Sequence, residues 1–182
     1  MRNVFIFPIL IALSACSTSQ NPVSSAYYPI PDGSKLVLKQ ALTIAPDAGR
    51  VYIQYGKVVT PNEKDNYHAH CWFLSWHVFE SAQVIKPDTF VITRTQQHED
   101  VVALQTPRQY AMNGLAFTHD GDGGPLALEY STELSIHSDL QPAIRQFVCS
   151  HWERPDDARH LTVAEMQKVL GDIAEIQLNT SK

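Results

Sequence analysis

No stretch of this chain is apolar for long enough to cross a bilayer, which takes about 20 residues. The longest apolar run, Val4 to Ala15, stops short of that. Positive charge is also scarce, with 14 Lys+Arg against 19 Asp+Glu and a formal net charge of −5. Nucleic acid and anionic membrane surfaces both call for a basic patch, so the balance speaks against either as a partner. Nucleophile motifs are missing: G-x-S-x-G, S-x-x-K and C-x-x-C do not occur. Cysteine is limited to three residues, too few for a disulfide-dense scaffold. There are no internal repeats.

What is present begins at the N-terminus. Arg2 supplies a positive n-region, and Val4 to Ala15 is a short, uncharged, mostly apolar h-region. Together they read as a secretory signal. Leu13-Ser14-Ala15-Cys16 closes it and resembles the lipobox of bacterial lipoproteins, in which the cysteine is acylated and becomes the mature N-terminus. The resemblance implies lipid on Cys16, and more than one acyl chain gives stable anchoring at about 0.8 kcal/mol per buried CH₂. Ser17 in place of Asp implies the outer membrane, facing the periplasm. Without the leader the chain keeps 13 Lys+Arg against 19 Asp+Glu, a net −6.

Cys71 and Cys149 remain, in a compartment where disulfides persist, and a Cys71–Cys149 bond is expected. Each has a histidine and a tryptophan as close neighbours, in His70-Cys71-Trp72 and Cys149-Ser150-His151-Trp152. The expectation is a disulfide shielded by those tryptophans.

Residues 16–33 (Cys16, then a Ser/Pro-rich run) read as a tether, with Tyr27-Tyr28 able to dock on the fold. Residues 34–182 read as one domain. There the period is two. Leu36, Leu38, Leu42 and Ile44 alternate with polar residues. Arg50–Val59 reads as a strand with Gly56 at a bulge or turn. His70–Glu80 is apolar on both faces and so expected to be covered on both. Phe90–Thr95 and Val101–Leu104 read as two strands, and Leu126–His137 as a long strand with one wet face. Ile144–Trp152 follows. Thr162-Val163-Ala164-Glu165 matches a capping box opening a helix that ends at Gly171, and Ile173–Leu178 is a final strand. Some eight strands and one late helix predict a mainly β fold, an antiparallel β-sandwich or small barrel with one C-terminal helix; α+β is the alternative.

Candidate chemistry is thin. His68 and His70 stand two apart, so on an extended chain both rings leave one face. With a third ligand from His151, His160 or Asp65 they would suit a divalent transition metal. Otherwise they form a polar loop, with His77 an interior hydrogen-bonded residue and no cofactor. Asp120 and Asp122 have the first spacing of a calcium loop but lack its closing Glu, and Gly121, Gly123 and Gly124 fit a hairpin better than a phosphate loop. Glu129 and Glu133 lie on a wet face roughly 13 Å apart by strand rise, too far for glycoside hydrolysis, and read as solvation.

Beyond the lipobox, Arg50-Val-Tyr-Ile-Gln54, Ile85-Lys-Pro-Asp-Thr-Phe90 and Trp152–Asp172 make the chain resemble small lipoproteins of Gram-negative bacteria. That resemblance implies a membrane-anchored envelope protein and brings no activity, cofactor or catalytic residue. The expected role is non-catalytic: binding an envelope protein partner or supporting an assembly. A periplasmic metal-binding protein using His68 and His70, or an unrecognised hydrolase, is the alternative.

Overall fold

The computed structural model describes residues 21–102, 127–154 and 159–180. In chain order its strands are β1 (Lys35–Leu38), β2 (Leu42–Ile44), β3 (Ala48–Gln54), β4 (Lys57–Val59), β5 (His70–Phe79), β6 (Gln83–Ile85), β7 (Asp88–Val102), β8 (Ala127–His137), β9 (Ile144–Glu153) and β10 (Ala174–Gln177). The helix α1 (Val163–Leu170) precedes β10. Eight strands form one antiparallel sheet in the order β10-β1-β7-β8-β9-β5-β3-β4, curled into a half-barrel, while β2 pairs with β6. The fold is therefore mainly β with a C-terminal helix, as the alternating pattern predicts.

Two strand boundaries differ from those expected. Phe90–Thr95 and Val101–Val102, the described part of the expected Val101–Leu104 strand, are not separate strands; β7 runs unbroken between them through polar Gln96–Asp100. Those residues pair one for one with Glu133–Glu129 of β8, and this ladder satisfies their backbone where no apolar pattern marks a strand. Arg50–Val59 is not one strand either. Tyr55 (φ 54) and Gly56 (φ 70) both take positive φ, the two-residue turn that joins antiparallel strands.

Alternation sends one face of the sheet inward. Phe73 of β5, Phe90 of β7 and Phe147 of β9 are fully buried, and each contributes about 1.5–3 kcal/mol. Phe73 lies 5.0 Å from Phe147 and 5.9 Å from Phe90, ring centroid to centroid. Met166, Val169 and Leu170 of α1 close this core, with the helix packing on β10, β5 and β3. The capping box is complete: Thr162 Oγ1 accepts from the Glu165 amide, and Glu165 accepts from the Thr162 amide at 2.9 Å. The far end of the helix clamps the β3–β4 turn. The Gly56 amide donates to the Val169 carbonyl at 2.8 Å, and a Cβ on Gly171 would stand 3.0 Å from the Gly56 Cα. That approach calls for glycine at 171, whereas at Gly56 it is the positive φ of 70° that favours glycine.

The N-terminal segment also packs on this side. Thr95 donates to the Ile30 carbonyl and Gln97 to the Ala26 carbonyl, both at 2.8 Å. Ile30 is buried, and Tyr28 packs against the core.

The strand β5 is not covered on both faces along its length. Its register shifts after Leu74, and Trp76 and Val78 beyond that point are 63% and 69% exposed.

Candidate functional site

Cys71 and Cys149 are directly opposed on β5 and β9 and form the disulfide. It points into the core, with both cysteines at most 1% exposed. The expected tryptophan shield is absent there. Trp72 and Trp152 are an odd number of residues from their half-cystines, so strand alternation puts both on the opposite face. The same alternation separates two of the candidate metal ligands. His70 lies opposite Ser150 and shares the outer face, whereas His151 faces inward beside Tyr130. His68 stands before the strand and pairs with Asp65 at 2.9 Å. Among the described residues no group of three or more His, Cys, Asp or Glu is placed to hold a metal ion. His77 is exposed rather than interior. Cys16 and the His119–Pro125 loop lie outside the described residues.

What the sheet does assemble is a groove on its outer face, of about 360 Å³. Its floor comes from Tyr52 of β3, Trp72 of β5, and Val148 and Trp152 of β9. Register explains the row: Tyr52 opposes Trp72, and Trp72 opposes Val148. The three aromatic rings remain half-exposed. On one side stand Asp100 of β7 with Glu129 and Glu133 of β8. On the other stand Arg50 of β3 and Lys64 of the β4–β5 loop.

Beneath the groove runs a buried polar row, with Gln54, His70, Ser150 and Ser131 on neighbouring strands. The row is well satisfied. Gln54 donates to the carbonyls of Asp65 and His68 and accepts from the Asp65 amide, which pins the loop carrying Lys64. Ser150 donates to Glu129 at 2.7 Å, and Gln146 donates to Glu133 at 2.6 Å. These two carboxylates are therefore fixed groups of the groove rather than the solvated surface expected. His70 faces the His68 carbonyl with Nδ1 at 3.0 Å. A carbonyl only accepts, so Nδ1 carries the proton and Nε2 is left to accept from Lys64 Nζ at 3.2 Å. Burial first, then the Lys64 charge, pushes the His70 pKa down to about 4, against the pull of the His68 carbonyl. Lys64 also donates to Asn66, and its ammonium sits 5.2 Å from the Tyr52 ring centroid. Desolvation lowers its pKa, while Glu129 opposes that.

This arrangement positions groups without activating a nucleophile. Ser150 is fully buried and already donates to a carboxylate. The only lone pair His70 could use as a base is engaged by Lys64. The rings, by contrast, are held in place: His70 stacks under Trp72 at 5.7 Å and 21°, and Tyr67 meets Trp152 edge-on at 5.6 Å.

A second polar cluster lies on the inner face at the open end of the core. Tyr130, His151 and His160 gather there, with Tyr27 edge-on to His160 at 5.8 Å. Tyr27-Tyr28 does dock, as the sequence allowed. Burial lowers the pKa of both histidines, partly opposed at His151 by Glu153 and at His160 by Glu99. A larger hollow of about 580 Å³ borders Ala48–Tyr52. One of its charged side chains, Glu63, is spent on capping Thr60.

The groove was not legible as a site in the sequence. Its only signal was that Trp72, Glu129, Glu133 and Trp152 fall on the strand positions opposite the core residues. Which strands would lie side by side could not be read from that. No protein-family model matches the chain, and neither the curated proteins nor the solved structures contain a match.

Proposed function

We propose that this protein is a non-catalytic envelope lipoprotein, held through lipid on Cys16 at the outer membrane and facing the periplasm, that binds a partner or ligand in the outer-face groove. The observation that supports this reading is the row of half-exposed Tyr52, Trp72 and Trp152 rings above a buried, hydrogen-bonded polar row. Rigid aromatic anchors framed by fixed polar groups are what binding surfaces use. The disulfide fits an oxidising compartment. The nine residues between Cys16 and Ala26, whose carbonyl Gln97 holds, give the domain a short reach from the membrane.

Fractionation of cells tests the anchor. The full chain is expected in the membrane fraction, and Cys16→Ser is expected in the soluble periplasmic fraction with its urea midpoint unchanged. Retention of Cys16→Ser in the membrane fraction would overturn the lipid anchor.

A further inference from the structure

We infer that the ligand of the outer-face groove is a saccharide, a short stretch of a pyranose chain, with Trp72 and Trp152 as the surfaces on which its rings stack. This rests on reading the groove as the binding surface. A pyranose presents a C–H face with hydroxyls around its edge, and each hydroxyl both donates and accepts. The groove offers the complement of both features. Trp72 and Trp152 give apolar platforms, each braced by a neighbouring ring, so little ordering remains to be done on binding. The rim divides by function. Asp100, Glu129 and Glu133 on β7 and β8 accept, while Arg50 and Lys64 on the far side donate.

The charges disfavour strongly charged competitors. Three carboxylates against two cations leave the rim close to balanced. A phosphate-rich polyanion is repelled by the carboxylates, and a cationic peptide meets Arg50 and Lys64 and gains little from a rim of net −1. A neutral, hydroxyl-rich ligand meets no such penalty. Asp100 and Glu129 are directly opposed across β7 and β8, an arrangement of like charges that destabilises a sheet. A hydroxyl donating between them relieves it. Lys64 has three N–H donors, of which Asn66 and His70 take two. The volume of about 360 Å³ lies at the lower end of the ~300–1,000 Å³ range of small-ligand sites, suited to a few rings.

The test is titration of the purified full chain, followed by tryptophan fluorescence and calorimetry. The probes are the tetramers of N-acetylglucosamine and of glucose in β-linkage. Inorganic phosphate, trilysine and uridine serve as anion, cation and planar-ring controls. Saturable binding of at least one tetramer is expected, with none of the controls competing. Trp72→Ala should weaken it at least tenfold, and Glu129→Gln, which keeps the shape of the rim, several-fold. Trp76→Ala, on the same strand but beyond the groove and stacked on Arg145, should leave it unchanged. Failure of both tetramers to bind wild type, or equal binding by wild type and folded Glu129→Gln and Trp72→Ala, would sink the saccharide. A photo-crosslinker at exposed Tyr67 in intact cells separates the two readings. A discrete groove-dependent adduct together with no saccharide binding keeps the binding surface and discards the sugar. No adduct and no saccharide binding discards both.

Discussion

Two polar regions sit back to back on β8 and β9, and they differ in how fully their hydrogen bonds are made. On the outer face His70 uses both ring nitrogens and Ser150 has its carboxylate. On the inner face His151 Nε2, His160 Nδ1 and Thr132 Oγ1 are buried without a well-formed hydrogen bond among the described residues, and the two rings interact only with the backbone of Arg159 and of Ser131, respectively, at looser geometry. The Glu99 carboxylate lies 3.7 Å from the other ring nitrogen of His160, Nε2. A buried polar group left unpaired costs about 1–3 kcal/mol, whereas a satisfied network rigidifies what it supports. The outer region is thus a frame that holds the groove in shape, and among the described residues the inner one is less fully bonded. Both have histidines with lowered pKa, because burial acts on charge whether or not the neutral ring has partners.

The change with the largest expected effect breaks both regions at once, because β5 and β9 carry the groove floor and the disulfide joins them. Replacing Cys71 and Cys149 together by alanine should lower unfolding free energy by about 4 kcal/mol, from the loop of 78 residues it closes. Urea unfolding of the double variant checks this; a loss under 1 kcal/mol would contradict it.

Acid comes next. His70 has its pKa depressed from 6.5 to about 4, so between those values the unfolded chain binds the proton and the native protein does not. Its contribution is complete above pH 6.5 and is lost as pH falls through the window. At about 1.36 kcal/mol per unit, His70 alone removes about 2 kcal/mol between pH 6.5 and 5. His151 and His160 act in the same direction. Urea midpoints at pH 7.5, 6 and 5 should fall steadily. This range stays above the region where Glu165, its pKa lowered to about 2 chiefly by Arg159, begins to matter. A flat profile would show that the histidines are not protected from protonation.

The sharpest contrast is a paired substitution. His70→Phe removes one of the two side-chain partners of Lys64 and one of the two side-chain donors to the His68 carbonyl, two bonds of about 1 kcal/mol each, and should cost about 2 kcal/mol. His160→Phe gives up only loose interactions, with Glu99 at 3.7 Å and with the Ser131 backbone, and discards a nitrogen without a well-formed bond, so it should cost less than His70→Phe by about 1 kcal/mol. Equal losses at the two positions would mean that the regions do not differ as described.

Much of the framework was legible because it is local. The capping box at Thr162 and Glu165, the alternation of Leu134 and Ile136 with Glu133 and Ser135, and the cysteine pair each depend on a few neighbouring residues or on simple counting. The length of β7 was not legible, since Gln96–Asp100 become strand only through pairing with β8. Nor was the position of the tryptophans relative to the disulfide recognised, although alternation at Cys71-Trp72 already implied it.

By itself the sequence determined a mainly β domain with one capped helix, a disulfide between Cys71 and Cys149, and which residues share each strand face. These follow from period, capping chemistry and cysteine number. The tertiary structure alone decided that β7, β8, β9, β5 and β3 lie side by side in that order. Strand order rests on contacts between residues far apart in the chain, and no local pattern encodes it. That order puts Glu129, Trp152, Trp72 and Tyr52 around one groove and leaves His151 and His160 on the other side of the sheet.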